Sequence, residues 1–133
     1  MRVIVFGSNG LVGSSLTNIL KNSEKVDFIF PSTRNDTNLE DPKSIREVIE
    51  KIEPNYVINC AAKVGGIHAN NTYRADFLID NLKINLNIYD VLKDFTNINV
   101  INLGSSCIYP LNSPNPINEE SFMNGKLEPT NSP

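Results

Sequence analysis

Val3-Ile4-Val5-Phe6-Gly7-Ser8-Asn9-Gly10-Leu11-Val12-Gly13 opens the chain directly after Met1 and Arg2. Its first four residues are apolar without interruption and three of them are β-branched, as in a short strand buried on both faces. Three glycines follow, each three positions after the last. From Leu11 the period changes. Val12, Leu16, Ile19 and Leu20 stand at i, i+4, i+7 and i+8, which predicts one apolar face of a helix. Strand, glycine turn and helix in immediate succession set the reading of everything downstream.

Working outward, Asp27–Phe30 predicts a second strand, stopped by Pro31. Asp41-Pro42 predicts a helix start, with Asp as N-cap and Pro in the first turn. Ile45, Val48, Ile49 and Ile52 form its buried stripe, and Pro54 ends it. Tyr56–Asn59 is a further strand. A long helix is expected from Asp76 to Phe95, with Leu78, Leu82, Leu86 and Tyr89 on its apolar face. Asn99–Leu103 is the last clear strand, and Asn38-Leu39 suggests a short additional one. This alternation predicts an α/β domain: a Rossmann-like, doubly wound parallel sheet of about five strands, with helices on both faces and right-handed crossovers. From Gly104 to Pro133 five prolines occur and no period is sustained. Residues 1–133 are therefore expected to be one incomplete domain, with residues 104–133 an irregular loop leading to a missing part. A sheet cut there leaves Asn99–Leu103 as an unprotected edge.

Composition narrows the classes. A chain of 133 residues, 40% hydrophobic and 20% charged, suits one soluble globular domain and not a disordered or fibrous one. A net charge of −3 supplies no basic field, so no nucleic-acid partner is expected. No apolar run approaches the roughly 18 residues of a membrane span. The apolar start is too short for a signal-peptide core. The expectation is a cytoplasmic protein without membrane attachment. Cys60 and Cys107 are expected to be free thiols there. The only histidine is His68, and no Cys/His group has metal spacing, so no metal is expected. Asparagine occurs 20 times and isoleucine 15 times; that excess reads as compositional bias without functional content.

The glycines acquire chemical meaning from their place between strand and helix. Gly7 permits a tight turn with positive φ. Gly10 leaves room for a pyrophosphate against the backbone, and Gly13 lets helix and strand pack closely. The N–H groups that open the helix then face the phosphates. Gly7, Ser8, Asn9, Gly10, Leu11, Val12 and Gly13 are accordingly candidate dinucleotide contacts; the competing reading is a glycine turn that binds nothing. After the second strand an NAD site carries Asp or Glu for the ribose 2′-hydroxyl. This chain has Pro31-Ser32-Thr33-Arg34 there, and Arg34 suits a 2′-phosphate. NADP is favoured over NAD, with a solvated surface arginine as the alternative.

In parallel sheets ligands bind beyond the carboxyl ends of the strands. Two such ends are chemically loaded. Cys60-Ala61-Ala62-Lys63-Val64-Gly65-Gly66-Ile67-His68 offers small residues against which a cofactor can lie, and a glycine pair able to take unusual dihedrals. Gly104-Ser105-Ser106-Cys107-Ile108-Tyr109-Pro110 places two hydroxyls and a thiol after a buried strand. A serine there can hydrogen-bond a carbonyl or alcohol, and a thiol can move a proton beside a carbonyl. Lys63 and His68 are expected to be solvent-exposed loop residues, and Cys60 a packed thiol.

The glycine turn, Ala61-Ala62 and Ser105-Ser106-Cys107-Ile108-Tyr109-Pro110 together resemble the extended short-chain dehydrogenase/reductases that act on nucleotide sugars. More narrowly, Ala61–Ile67, Ala69–Thr72, Ala75–Phe77, Gly104–Pro110 and Leu127–Asn131 resemble the GDP-L-fucose synthases. That resemblance implies NADPH-dependent 3,5-epimerisation and 4-keto reduction of GDP-4-dehydro-6-deoxy-D-mannose to GDP-L-fucose. It implies Ser105 as the serine that holds the sugar's 4-oxygen and Cys107 as the acid/base at the epimerised carbons. It also implies a cofactor lined by Gly7 to Gly13, Arg34, Leu39, Ala62, Leu103, Gly104, Ser105 and Ser106. The partner implied is a GDP-sugar, in a homodimer paired through the long helices.

The resemblance fails at definite points. The family's Tyr-x-x-x-Lys pair follows the Glu-Pro-Thr-Asn-x-Pro stretch, and this chain ends at that stretch's proline, Pro133. A second epimerisation acid/base, a histidine, and the part that grips the GDP-sugar also lie further on. Asn9 stands where relatives often have Arg, and Arg74 where they have proline. The 133-residue chain is expected to lack reductase activity and to bind cofactor weakly at best. The alternatives are another nucleotide-sugar epimerase or dehydratase of the same fold, or a non-catalytic dinucleotide-binding module.

Overall fold

A computed structural model describes residues 1–130; Asn131 of the stretch Leu127–Asn131, and Pro133, lie outside the described residues. The elements are β1 (Arg2–Phe6), α1 (Leu11–Lys21), β2 (Phe28–Ser32), α2 (Pro42–Ile52), β3 (Tyr56–Asn59), α3 (Ile67–Thr72), α4 (Arg74–Leu92) and β4 (Asn99–Asn102). The strands form one parallel sheet in the order β2-β1-β3-β4. The sheet has four strands, not about five. Asn38 and Leu39 belong to a turn: the Asn38 side chain accepts from the Glu40 N–H at 3.0 Å, and the Asp41 N–H returns to the Asn38 carbonyl at 3.1 Å. A local Asx turn of this kind competes directly with strand pairing.

Helices cover both faces. Ile4, Phe6 and Val57 point to one side, where Ile45, Ile49 and Ile52 of α2 and Ile84, Ile88, Val91 and Leu92 of α4 close over them. Val3, Val5 and Ile58 point to the other, against Leu16 and Leu20 of α1. The alternation follows from the pleat, which sends successive side chains to opposite faces. β1 is central, and its Ile4, Val5 and Phe6 are fully enclosed.

α2 matches its reading. Asp41 caps it by accepting from the Lys43 N–H at 3.0 Å, Pro42 begins it, and Glu53 at φ 48° ends it. β2 extends through Pro31 to Ser32 instead of stopping at Phe30. It is an edge strand, where a missing ladder donor is tolerated. In α1 the packed positions are Gly13, Leu16, Thr17 and Leu20, while Val12 and Ile19 are exposed. The largest correction concerns α4. Its sheet-facing stripe is Ile84, Ile88, Val91 and Leu92, whereas Leu78, Leu82, Leu86 and Tyr89 stay 47–63% exposed. An apolar helix with two stripes gives no periodicity by which to choose between them, and only contact with the sheet decides.

The chain divides into two compact units. The first comprises residues 1–64 and 76–103 and contains the whole sheet. The second comprises residues 65–75 and 104–133. In it, the expected loop Ile67–Thr72 is the short helix α3, and residues 104–130 are irregular except for 3-10 turns at Ser106–Ile108 and Glu119–Ser121. In the first unit β4 pairs only with β3, so it is an edge among the described residues, as expected.

Candidate functional site

The glycine turn is built from atoms that are absent. Gly7 ends β1 with φ +72°, and a Cβ there would stand 2.7 Å from the Ala61 nitrogen and 2.8 Å from its Cα. A Cβ on Gly13 would lie 2.2 Å from the Gly7 carbonyl oxygen. Both positions are closed by backbone. At Gly10 an added Cβ would meet the Gly7 oxygen at 3.3 Å, a tight contact but not an overlap. Gly10 is thus the least obstructed of the three glycines. Gly10 caps α1 without a side-chain hydrogen bond. The first N–H groups of α1, from Leu11 to Gly13, then meet an approaching anion with the positive end of the helix dipole. The Ser8 N–H donates to the Ser32 carbonyl at 3.1 Å and ties the turn to the end of β2. Ser8 is buried; Asn9, Leu11 and Val12 are exposed.

After β2, the Thr33 N–H and hydroxyl both donate to one Asp36 oxygen, at 2.8 and 2.6 Å, which holds the Asp36 carboxyl below the usual carboxylate range. The Ser32 hydroxyl donates to the buried Thr37 hydroxyl at 2.7 Å. Arg34 rides exposed on this turn and pairs with no carboxylate among the described residues. Leu39 is half-buried against the α2/α4 core, and its carbonyl accepts from Asn87 at 3.0 Å.

After β3, Ala61 donates its N–H to the Asn59 side chain at 3.0 Å, and Ala62 is exposed. Lys63 is an exposed loop residue, as expected, but it is paired. Its ammonium meets Asp80 at 2.6 Å and sits 5.4 Å from the Phe77 ring centroid. The hydrogen bond raises the lysine's proton affinity and lowers that of Asp80. Cys60 packs on the α1 side of the sheet, and burial pushes its thiol up. It is a packing residue, as expected. Leu103, after β4, donates its N–H to the Asn59 carbonyl at 3.2 Å and leaves its side chain exposed. Tyr89 and Lys93 have Tyr-x-x-x-Lys spacing, but they lie at the end of α4 that leads to the amino edge of the sheet, where Lys93 bonds Asp90 at 2.5 Å.

In the second unit, Ser105 is extended and caps the 3-10 turn: its hydroxyl oxygen accepts from the Cys107 N–H at 3.2 Å. Its O–H makes no hydrogen bond among the described residues and is free to donate. Cys107 is an exposed free thiol, and Gly104 and Ser106 are exposed beside it. The Tyr109 ring packs edge-on against Phe122, centroids 6.2 Å apart. Gly66 takes an ordinary extended conformation, φ −74°, as the N-cap of α3, so the expected unusual dihedrals are not used there. His68 is exposed, and its carbonyl accepts from the Thr72 hydroxyl at 2.8 Å. The Arg74 guanidinium donates to the carbonyl and side-chain oxygens of Asn71 and thereby stops α3. No group of ligating side chains among the described residues is arranged to hold a metal. No helix among them is long and apolar enough to cross a membrane.

The sequence profile of the NAD dependent epimerase/dehydratase family matches residues 3–133. The chain belongs to this family. It is 40% identical over 130 residues to a putative GDP-L-fucose synthase 2 of Arabidopsis thaliana, covering 98% of this chain and 39% of that protein. It is 39% identical over 132 residues to the GDP-L-fucose synthase of Escherichia coli K12, covering 99% of this chain and 41% of that one. A GDP-L-fucose synthetase from Naegleria fowleri, solved with NADP bound, superposes with a TM-score of 0.81 at 31% identity, over 98% of this chain and 39% of its own. The chain thus spans about two-fifths of the length of the relatives it matches. For an epimerase/dehydratase-family member, Gly7 and Gly13 closed by backbone and a less obstructed Gly10 have the arrangement that a dinucleotide site needs. Sequence reasoning missed the buried Asn59 and the α4 residues Asn81 and Asn87, which hold the two loops bearing Leu39 and Ala62. No residue-type signal marks them, because asparagine is common throughout the chain.

Proposed function

We propose that the chain is the dinucleotide-binding part of an enzyme that epimerises GDP-4-dehydro-6-deoxy-D-mannose at C3 and C5 and reduces its 4-keto group to give GDP-L-fucose. The observation that carries the reading is the glycine turn, closed by backbone at Gly7 and Gly13 and least obstructed at Gly10. The N–H groups from Leu11 to Gly13 hold the pyrophosphate, and Arg34 holds the 2′-phosphate of NADP. Arg34 supports NADP over NAD because it is an unpaired guanidinium where an NAD site carries an acid. Leu39, Ala62 and Leu103 wall the cofactor. Bound NADPH supplies the hydride that reduces C4.

The chain's own contribution to the sugar chemistry comes from Ser105 and Cys107. The Ser105 O–H donates to the 4-oxygen and draws electron density from the carbonyl. That acidifies the protons at C3 and C5. The Cys107 thiolate takes one of them, and the C–H electron pair moves into an enolate held at the 4-oxygen. Inversion then requires a proton delivered to the opposite face by an acid that this chain does not supply. The same holds for protonation of the 4-oxygen during reduction. We assign both acids to the further length that the relatives have, so turnover is expected of a form extended through Tyr-x-x-x-Lys.

The partner is a GDP-sugar. The enzyme is a homodimer, supported by the exposed Leu78, Leu82, Leu86 and Tyr89 stripe of α4. Its location is cytoplasmic, supported by the two free thiols. Titration with NADPH and with NADH, followed by turnover of GDP-4-dehydro-6-deoxy-D-mannose by the extended form, tests the reading. Saturable NADPH binding and GDP-L-fucose formation are expected. Saturable binding with turnover of a different nucleotide sugar identifies another epimerase or dehydratase of the fold. Reductase turnover by the 133-residue chain alone overturns the assignment of the missing residues.

A further inference from the structure

We infer that Asn81 and Asn87 of α4 are positioning residues, which strap the loops after β3 and β2 to one helix and so set the two walls of the dinucleotide site; this rests on the reading of the glycine turn given above. Asparagine is a poor helix former in the interior of a helix, because its side chain competes for backbone hydrogen bonds. α4 nevertheless carries three, and each reaches a partner. Asn81 accepts from the Lys63 N–H at 2.9 Å and donates to the Lys63 carbonyl at 3.0 Å. It pairs with both main-chain groups of Lys63 as a neighbouring strand would. Asn87 donates to the Leu39 carbonyl at 3.0 Å, from 48 positions away. Asn85 links the same helix to the strands: its side-chain oxygen lies 3.4 Å from the Asn59 amide nitrogen, which also donates to Asn102 at 2.7 Å.

The straps end where the cofactor reading needs firm backbone. Lys63 follows Ala62. Ala61, in turn, is the segment that a Gly7 side chain would strike. A displacement of Lys63 is therefore transmitted within three residues to the glycine turn. Leu39 ends the loop that carries Arg34. Neither loop is held by strand pairing, so the amide side chains supply the hydrogen bonds that a sheet would otherwise provide.

The test compares Asn81→Ala, Asn87→Ala and Asn81→Asp with the unaltered protein, each in the form extended through Tyr-x-x-x-Lys, in three measurements: NADPH affinity, thermal midpoint, and hydrogen exchange at the Lys63 amide. Each alanine variant is expected to bind NADPH about five-fold more weakly, the worth of one ordinary hydrogen bond. Asn81→Ala is expected to lose protection at Lys63. Asn81→Asp keeps the acceptor for the Lys63 N–H and is expected to recover protection and part of the affinity; it also replaces the alanine variant should that fail to fold. Unchanged Lys63 exchange in Asn81→Ala overturns the strap whatever NADPH does. Unchanged affinity beside a lowered midpoint makes the asparagines merely structural and overturns the positioning role. An unaltered extended form with protected Lys63 that takes up no NADPH overturns the dinucleotide reading, and the inference with it.

Discussion

The turn after β1 and the segment after β3 lie in contact, yet they are held in opposite ways. The first is held by missing side chains: Gly7 and Gly13 let backbone approach backbone at distances no Cβ allows. The second is held by side chains that are present: Asn59 on Ala61 and Asn81 on Lys63. A steric requirement is absolute and local, so a glycine pattern announces it. An amide strap is one of many ways to satisfy a backbone group, and it can come from any residue that the fold brings near.

The contrast is sharpest if substitution at the closed glycines fails outright. Gly13→Ala should cost about 3 kcal/mol or more, because the added carbon overlaps the Gly7 carbonyl and the backbone must move. Gly7→Ala should be comparable, combining a positive φ with a clash against Ala61. Chemical denaturation measures both; a loss below about 1 kcal/mol would break the distinction between the two regions. Asn59→Ala comes next, at roughly 1–3 kcal/mol, since it leaves the half-buried Ala61 N–H and the Asn102 side chain without their partner. Gly10→Ala should lower the thermal midpoint far less than either closed glycine, since its added carbon meets the Gly7 oxygen at 3.3 Å without overlap, while lowering NADPH affinity at least about ten-fold, read by titration; that separates a glycine needed by the ligand from two needed by the fold.

The smallest effect is electrostatic. Thr33 hydrogen bonds hold Asp36 below its ordinary range, and Lys63 does the same for Asp80. A carboxylate whose folded pKa is depressed stabilises the fold above its unfolded value, and that contribution is lost as pH falls through the folded value. Stability should therefore be flat near neutrality and decline below about pH 4. In Asp80→Asn the acid decline should be slightly shallower. Both groups are exposed, so the change is small and visible only as a slope in acid denaturation.

Much of the fold was legible because it rests on local rules. The run Val3–Phe6, the Asp41-Pro42 cap and the Ile45/Ile49/Ile52 stripe each state their element and its buried face. The errors fell where two local answers were open. α4 offers two apolar stripes, and Asn38-Leu39 offers a strand or an Asx turn. Pro31 ends a central strand but not an edge one, and sequence does not say which strand is the edge. Of the site, the glycine turn and Arg34 lie at strand ends where pattern predicts function, whereas the capping of the 3-10 turn by Ser105 came only with the structure. The asparagine straps were hidden inside an excess of asparagine.

By itself the sequence determined the succession of strands and helices, the parallel class of the sheet and the place of the glycine turn, because periodicity and the absence of a Cβ act within a few residues. Tertiary structure alone decided which stripe of α4 meets the sheet and which asparagines secure the loops after β2 and β3. Those depend on pairings across 18 and 48 positions, where any of several chemically equal residues would serve until the fold selects one.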